Sequence, residues 1–151
     1  MPGNRTHDAI VIGAMIPLAP ILYEAVGPHL TLVALGGWLI SGLFLSPDLD
    51  LPSAPMGRWG PLRIIWIPYQ HLVTHRSWLS HGPIAGTVIR LAWVAICLCP
   101  VAVVLMGKGT VTPEIAKAWL HAHRPEVWAA LAGAEGAAMA HSLADIFLKG
   151  A

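Results

Sequence analysis

Four apolar stretches, about 9 to 26, 30 to 46, 84 to 106 and 127 to 148, dominate the chain and restrict it to helical folds with long hydrophobic surfaces. At about 1.5 Å per residue the third reaches about 34 Å, enough to cross a hydrocarbon core of about 30 Å. The first two are shorter, and Gly27-Pro28 leaves room between them only for a tight turn, so they are expected to pair as a helical hairpin. The fourth is rich in Ala and Gly and carries Glu135, His141 and Asp145, which makes it the poorest span taken alone and dependent on its neighbours. Its residues Ala129, Gly133, Ala137, His141 and Asp145 recur every four positions. One helix face is therefore small near one end, where another helix can approach, and bears metal-capable side chains near the other.

Composition points the same way. Of 151 residues 56% are hydrophobic and 11% charged, against about 25% charged in soluble domains. The expected fold class is all-α, a polytopic membrane helical bundle of about four transmembrane helices forming a single domain over residues 1–151. A net charge of +1 without any basic run gives nucleic acid little to bind, and the lipid bilayer is the expected partner. Cys97 and Cys99 lie inside an apolar run on opposite sides of a helix and read as buried free thiols. The N-terminus lacks the layout of a cleaved signal peptide, so the first apolar segment is expected to be kept.

Between the second and third stretches, residues 47 to 83 form a long connection punctuated by Pro and Gly, with Trp59, Trp66, Tyr69 and Trp78 among Arg58, Arg63 and Arg76. Aromatics mixed with arginines suit the headgroup zone, so this segment is expected to lie on the membrane surface. Pro68 fits the first turn of a short helix running to about Trp78, on which His71 and His75 would share a face. The connection from 107 to 126 is polar and is expected to hold a short helix after Pro113.

Threading four helices through a bundle brings the chemistry to one end. His7 and Asp8 precede the first helix, Asp48 and Asp50 follow the second, His71, His75 and His81 precede the third, and His141 and Asp145 sit in the last turns of the fourth. Glu24, His29, His121 and His123 fall at the opposite end. Histidine and aspartate at a depth where charge is expensive point to a functional site. The two carboxylates of Ser46-Pro47-Asp48-Leu49-Asp50 would be aimed to one side by extended backbone, suiting them to hold cations. His75 and His81 bracket a turn, and His141 and Asp145 are one helical turn apart. Arg76 could pair with a phosphate or carboxylate, a lipid headgroup or a neighbouring aspartate. Ser77 and Ser80 are expected to orient ligands by hydrogen bonding. Arg5, Arg58, Arg63, Arg76 and Lys149 on the site's side outnumber Lys108, Lys117 and Arg124 opposite, which places the site on the cytoplasmic face.

In order and placement, Thr6-His7, Ser46-Pro47-Asp48-Leu49-Asp50, His75-Arg76-Ser77-Trp78-Leu79-Ser80-His81-Gly82 and His141-xxx-Asp145 resemble the DUF2227 group of small bacterial inner-membrane metal-binding proteins. They also resemble the related YdjM-like metal-dependent hydrolases, whose pattern is H, PDxD, HRxxxxH and HxxxD. That group is itself distantly similar to zinc-dependent phospholipase C and the P1-type nucleases. The resemblance covers nearly the whole chain. It implies a multi-pass protein of the bacterial inner membrane whose His7, Asp48, Asp50, His75, His81, His141 and Asp145 hold two or three divalent ions, zinc first, with manganese or iron as alternatives. His71 stands outside the pattern and is an additional candidate.

The expected activity is metal-dependent hydrolysis of a phosphoester, with a phospholipid among the candidate substrates, at the membrane face; Asp48 or Asp50 would act as base and Arg76 would steady the anion. Two alternatives remain open. One is a non-catalytic membrane module that its metal stabilises, serving a structural, sensing or assembly role. The other is a membrane di-iron oxygenase, suggested by His71-xxx-His75 and opposed by the lack of adjacent histidines. Oligomerisation is compatible with any of these.

Overall fold

In the computed structural model of the protein, residues 4–107 and 112–148 are described; Lys108 and Lys149, which entered the count of basic residues, lie outside them. The fold is all-α, with no strand among the described residues. The first element, α1, runs over Asn4–Phe44 but is broken at Gly27, whose φ of 78° and ψ of 171° lie in a region essentially reserved for glycine. Pro28 restarts the helix, and the freed Gly27 carbonyl accepts from Thr31 Oγ1 at 2.7 Å. The break is a reversal: Trp38 Nε1 donates to the Val11 carbonyl at 2.8 Å, a pair that a continuous helix would hold about 40 Å apart. The apolar segments on either side of Gly27 are thus antiparallel limbs of a hairpin.

The long connection follows: a 3-10 turn at Pro47–Asp50, α2 (Ala54–Gly57), a second 3-10 stretch at Gly60–Ile65, α3 (Trp66–Leu72) and α4 (Trp78–His81). It folds as a cap over the hairpin's open end. Arg58 Nη1 and Trp59 Nε1 donate to the Leu43 and Phe44 carbonyls, satisfying oxygens that the end of α1 leaves unpaired. Rather than lying among headgroups, Trp66 and Tyr69 are fully buried with Leu49 and Val73, their rings edge-to-face at a centroid distance of 5.3 Å. Burial pushes the Tyr69 phenol above its usual pKa. The short helix also differs from expectation. It begins before Pro68, as a continuation of the 3-10 stretch, and ends at Leu72, where Val73 turns extended. His71 and His75 therefore share no helical face.

The long helices α5 (Ala85–Met106) and α7 (Arg124–Phe147) flank α6 (Pro113–Ala122). Among the described residues two helical runs, Arg5–Asp50 and Ala85–Leu105, are long and apolar enough to cross a membrane. Helix α7 packs along the hairpin through the small residues of its every-fourth stripe. A Cβ on Gly133 would sit 1.9 Å from the Ala34 carbonyl oxygen, and one on Gly37 2.3 Å from that of Ala130, so both positions need glycine for close approach. Ser41 Oγ adds a hydrogen bond to the Ala134 carbonyl at 2.9 Å. At the far end His29 meets Glu126, with 3.3 Å between Nε2 and Oε1. Cys97 and Cys99 are free, but Cys97 is only partly buried and Cys99 is exposed, because this part of α5 has no protein packed on that side.

Candidate metal centre

Five separate segments deliver the centre. His7 comes from the first turn of α1, Asp48 and Asp50 from the 3-10 turn, His75 from the loop after α3, His81 from the end of α4, and His141 and Asp145 from α7. The hairpin brings residue 7 beside residue 48, and the glycine contacts set α7 in register with both. All seven meet at one end of the bundle.

The turn at Pro47–Asp50 corrects the extended backbone expected there. Pro47 opens it, and Ser46 Oγ accepts the Asp48 N–H at 3.5 Å, which favours a helical turn over a strand. At about three residues per turn, side chains two apart diverge. Asp48 Oδ1 accordingly faces His141 Nε2 at 3.3 Å and His81 Nε2 at 3.8 Å, whereas Asp50 Oδ1 meets His75 Nδ1 at 2.9 Å and its Oδ2 lies 3.6 Å from His81 Nδ1. Two ligand groups result, Asp48 with His81, His141 and Asp145, and Asp50 with His75 and His81, each with donor atoms within 4.8 Å of one another.

All but one of these separations are longer than an ordinary hydrogen bond, and three have the spacing of ligands on a shared ion. Asp145 Oδ2 is 3.8 Å from His81 Nε2 and 4.0 Å from His141 Nε2, and its Oδ1 is 3.3 Å from His7 Nε2. Ordinary hydrogen bonds span about 2.7–3.2 Å. Two ligands each about 2.0–2.2 Å from a tetrahedral ion stand about 3.3–3.6 Å apart. Nε2 of His75, His81 and His141 and Oδ2 of Asp50 are buried with no hydrogen-bond partner, a costly state that a bound cation would relieve. Imidazoles with carboxylates suit zinc, iron or manganese, so the residues present fit a divalent metal without naming it.

Neighbouring groups aim the ligands. Ser46 Oγ lies 3.3 Å from His141 Nδ1 and Ser80 Oγ 2.9 Å from His81 Nδ1, which turns each Nε2 toward Asp48 and Asp145. His7 stacks on His141 with ring centroids 3.9 Å apart. Sequence reasoning passed over Arg90. It is 1% exposed, and its guanidinium holds the Ser80 carbonyl at 2.5 Å and Thr87 Oγ1 at 3.2 Å, so it fixes the turn that presents His81. A lone arginine inside an apolar stretch was its only signal. Arg76 adopts a left-handed backbone, φ 59°, and reaches Asp145 Oδ2 at 3.4 Å. Beside it a cavity of about 210 Å³, lined by Arg76, His81, Ser142, Asp145 and Ile146, opens the centre to the exterior.

Other candidates lie elsewhere. His71 is exposed on α3 and joins neither ligand group. Asp8 forms an ion pair with Arg58, strapping the cap to α1. His121 and His123 are exposed, the latter stacked on Trp119.

Comparison with known proteins fits this picture. An uncharacterized protein of Aquifex aeolicus (strain VF5) is 41% identical over 59 residues, which is 38% of this chain and 41% of that protein, so the match spans about two fifths of the relative's length. No solved structure matches. The family model for DUF2227, an uncharacterized metal-binding protein, matches residues 2–150, and the chain therefore belongs to the DUF2227 family of metal-binding proteins.

Proposed function

We propose that the protein is a metal-dependent hydrolase that cleaves a phosphoester at the cytoplasmic face of a bacterial inner membrane. The observation that carries this reading is the set of buried imidazole nitrogens and carboxylate oxygens, spaced for shared coordination, beside a cavity with an arginine at its rim. Charge supports it. Asp48, Asp50 and Asp145 supply three negative charges and Arg76 one positive, so a first divalent ion would neutralise the centre. A second would leave it doubly positive, matched to a phosphate monoester dianion.

Ions held by the two groups would supply an activated water near neutral pH and polarise the phosphoryl group. A neutral imidazole has one free lone pair, so with Nδ1 donating to Ser80 Oγ, His81 would serve a single ion through Nε2. The four-ligand group is then the tighter position and Asp50 with His75 the weaker. Asp50 Oδ2, buried without a hydrogen bond, would be the base that accepts a water proton, and Arg76 would steady the phosphate through its fork of donors.

Four crossings follow from the same reading: the two limbs of α1, then α5, then α7, which the hairpin shields. Among the described residues Arg5, Arg58, Arg63 and Arg76 lie at the site's end and Lys117 and Arg124 at the other, supporting a cytoplasmic site. The likeness to the YdjM-like hydrolases supports the reaction class.

The test is metal content of protein purified in detergent, followed by turnover of phosphomonoesters and phosphodiesters with Asp50→Asn as control. Mutant-sensitive hydrolysis is expected; metal-loaded protein without it would leave the second reading, a metal-stabilised module. The origin of the ligands in four segments favours that one next, because a bound ion would clasp the fold.

A further inference from the structure

A recess leaves the metal centre at His81 and runs between α5 and α7. Its mouth is the cavity at Arg76 and Asp145. Past His81 and Ser142 it meets a second cavity of about 170 Å³, walled by Pro83, Ala138, Met139 and Leu143. Beyond Glu135 a third, of about 330 Å³, continues between Val88, Leu91, Trp128 and Leu131. Adjacent cavities share lining residues: His81, Ser142 and Ile146 join the first two, Glu135 the last two.

We propose that this recess holds the hydrocarbon chain of a phosphorylated lipid whose phosphate lies at Arg76 and the metal centre. The inference names the substrate class for the hydrolase reading and rests on it for the headgroup alone. Polarity fixes the occupant. Arg76 stands at the mouth, and the walls beyond are hydrocarbon apart from the buried Arg90 with Thr87 and Glu135. Arg90 Nη1 and Nη2 donate to Ser80 and Thr87 while its Nε is left without a partner, and Glu135 Oε1 accepts the Ile84 N–H at 2.8 Å. That bond holds Ile84 at φ 64°, an outlier for a β-branched residue, and pins the rim where the cavities meet. Length allows it as well. From Asp145 to Trp128 along α7 is about 25 Å, longer than the roughly 15 Å depth of one leaflet's hydrocarbon, so a full chain can be housed. A single acyl chain fits, and a small soluble phosphoester would leave most of the wall uncovered. A second protein copy would bury an apolar face but would bring no anion to the mouth.

Photolabelling tests the assignment. Hexadecylphosphonate, a phosphate mimic whose C–P bond resists hydrolysis, carrying a diazirine near its terminal methyl is irradiated with metal-loaded protein in detergent, and the modified residues are mapped by mass spectrometry, with the matching diazirine alcohol as comparison. Label from the phosphonate should concentrate on the partly buried Leu91 and Leu131, and label from the alcohol should spread to the exposed Ile16, Leu32 and Val104. Met139→Trp and, independently, Leu131→Trp should each lower recess labelling about tenfold, equivalent to about 1.4 kcal/mol of binding. Metal content and turnover of phenyl phosphate should stay unchanged in both. Phosphonate label scattered in proportion to exposure, or indifferent to both tryptophans, overturns the proposal. Focused labelling without hydrolysis of any phosphoester would remove the hydrolase reading and leave the recess; phenyl phosphate turnover with scattered labelling would do the reverse.

Discussion

Replacing Asp145 by Asn removes one negative charge from the most crowded part of the centre while keeping the side chain's size. Its carboxylate faces His7, Arg76, His81 and His141 within 4.0 Å, and it is one of the four residues of the tighter ligand group. Structural zinc in four-ligand sites binds with about 10–16 kcal/mol, so one ligand in four accounts for about 3 kcal/mol, on the order of a hundredfold in affinity. The metal-free protein should respond in the opposite sense. Asp145 shares a small volume with Asp48 and Asp50, and taking away one of three like charges relieves their repulsion. Competitive titration against a chelator should therefore show affinity falling on the order of a hundredfold. Thermal unfolding in detergent should show apo protein as stable as wild type or more so, but with little gain when metal is added. Asp8→Asn, in the ion pair with Arg58 and outside both ligand groups, is the control that should leave affinity alone. An Asp145→Asn protein that binds metal within threefold of wild type would refute the assignment.

Three further outcomes follow from the geometry. Arg90→Met leaves the buried Ser80 carbonyl unpaired and loosens His81; metal affinity should drop about 10–100-fold, the usual effect of losing a group that orients a ligand, with partial recovery in Arg90→Lys. Gly133→Ala should destabilise the fold by about 1–3 kcal/mol in denaturant titration because its Cβ meets backbone that cannot step aside, whereas Gly13→Ala, with open space around it, should be neutral or stabilising. His71→Ala should leave metal stoichiometry and affinity unchanged, since the ring is exposed and joins neither group; a lost ion would return His71 to the centre.

Much of this arrangement was legible from periodicity. The every-fourth stripe of α7 could be read because helix geometry alone puts Gly133, Ala137, His141 and Asp145 on one face, and Gly27-Pro28 marked the reversal because few other dipeptides allow one so tight. The capping segment was less legible. Trp66 and Tyr69 carry the composition of an interfacial belt, and only contacts with residues distant in sequence, Leu49 and Trp93 among them, decide that they are core. Asp48 and Asp50 were expected side by side because a DxD run has no period of its own; the Ser46 cap and Pro47 chose a turn and sent the carboxylates to different partners. Arg90 shows the limit most plainly. An arginine in an apolar run declares that something polar lies beside it, but not that this is a carbonyl one residue from a ligand.

The contact between Gly133 and Ala34 also acts as a gauge block. Sliding α7 by one residue would shift its end by about 1.5 Å and rotate it by about 100°, enough to swing His141 away from Asp48 altogether. Two backbones touching where no side chain can intervene leave no intermediate setting. The tolerances of the ligand atoms are thus machined about two helical turns away, at positions that carry no chemistry of their own.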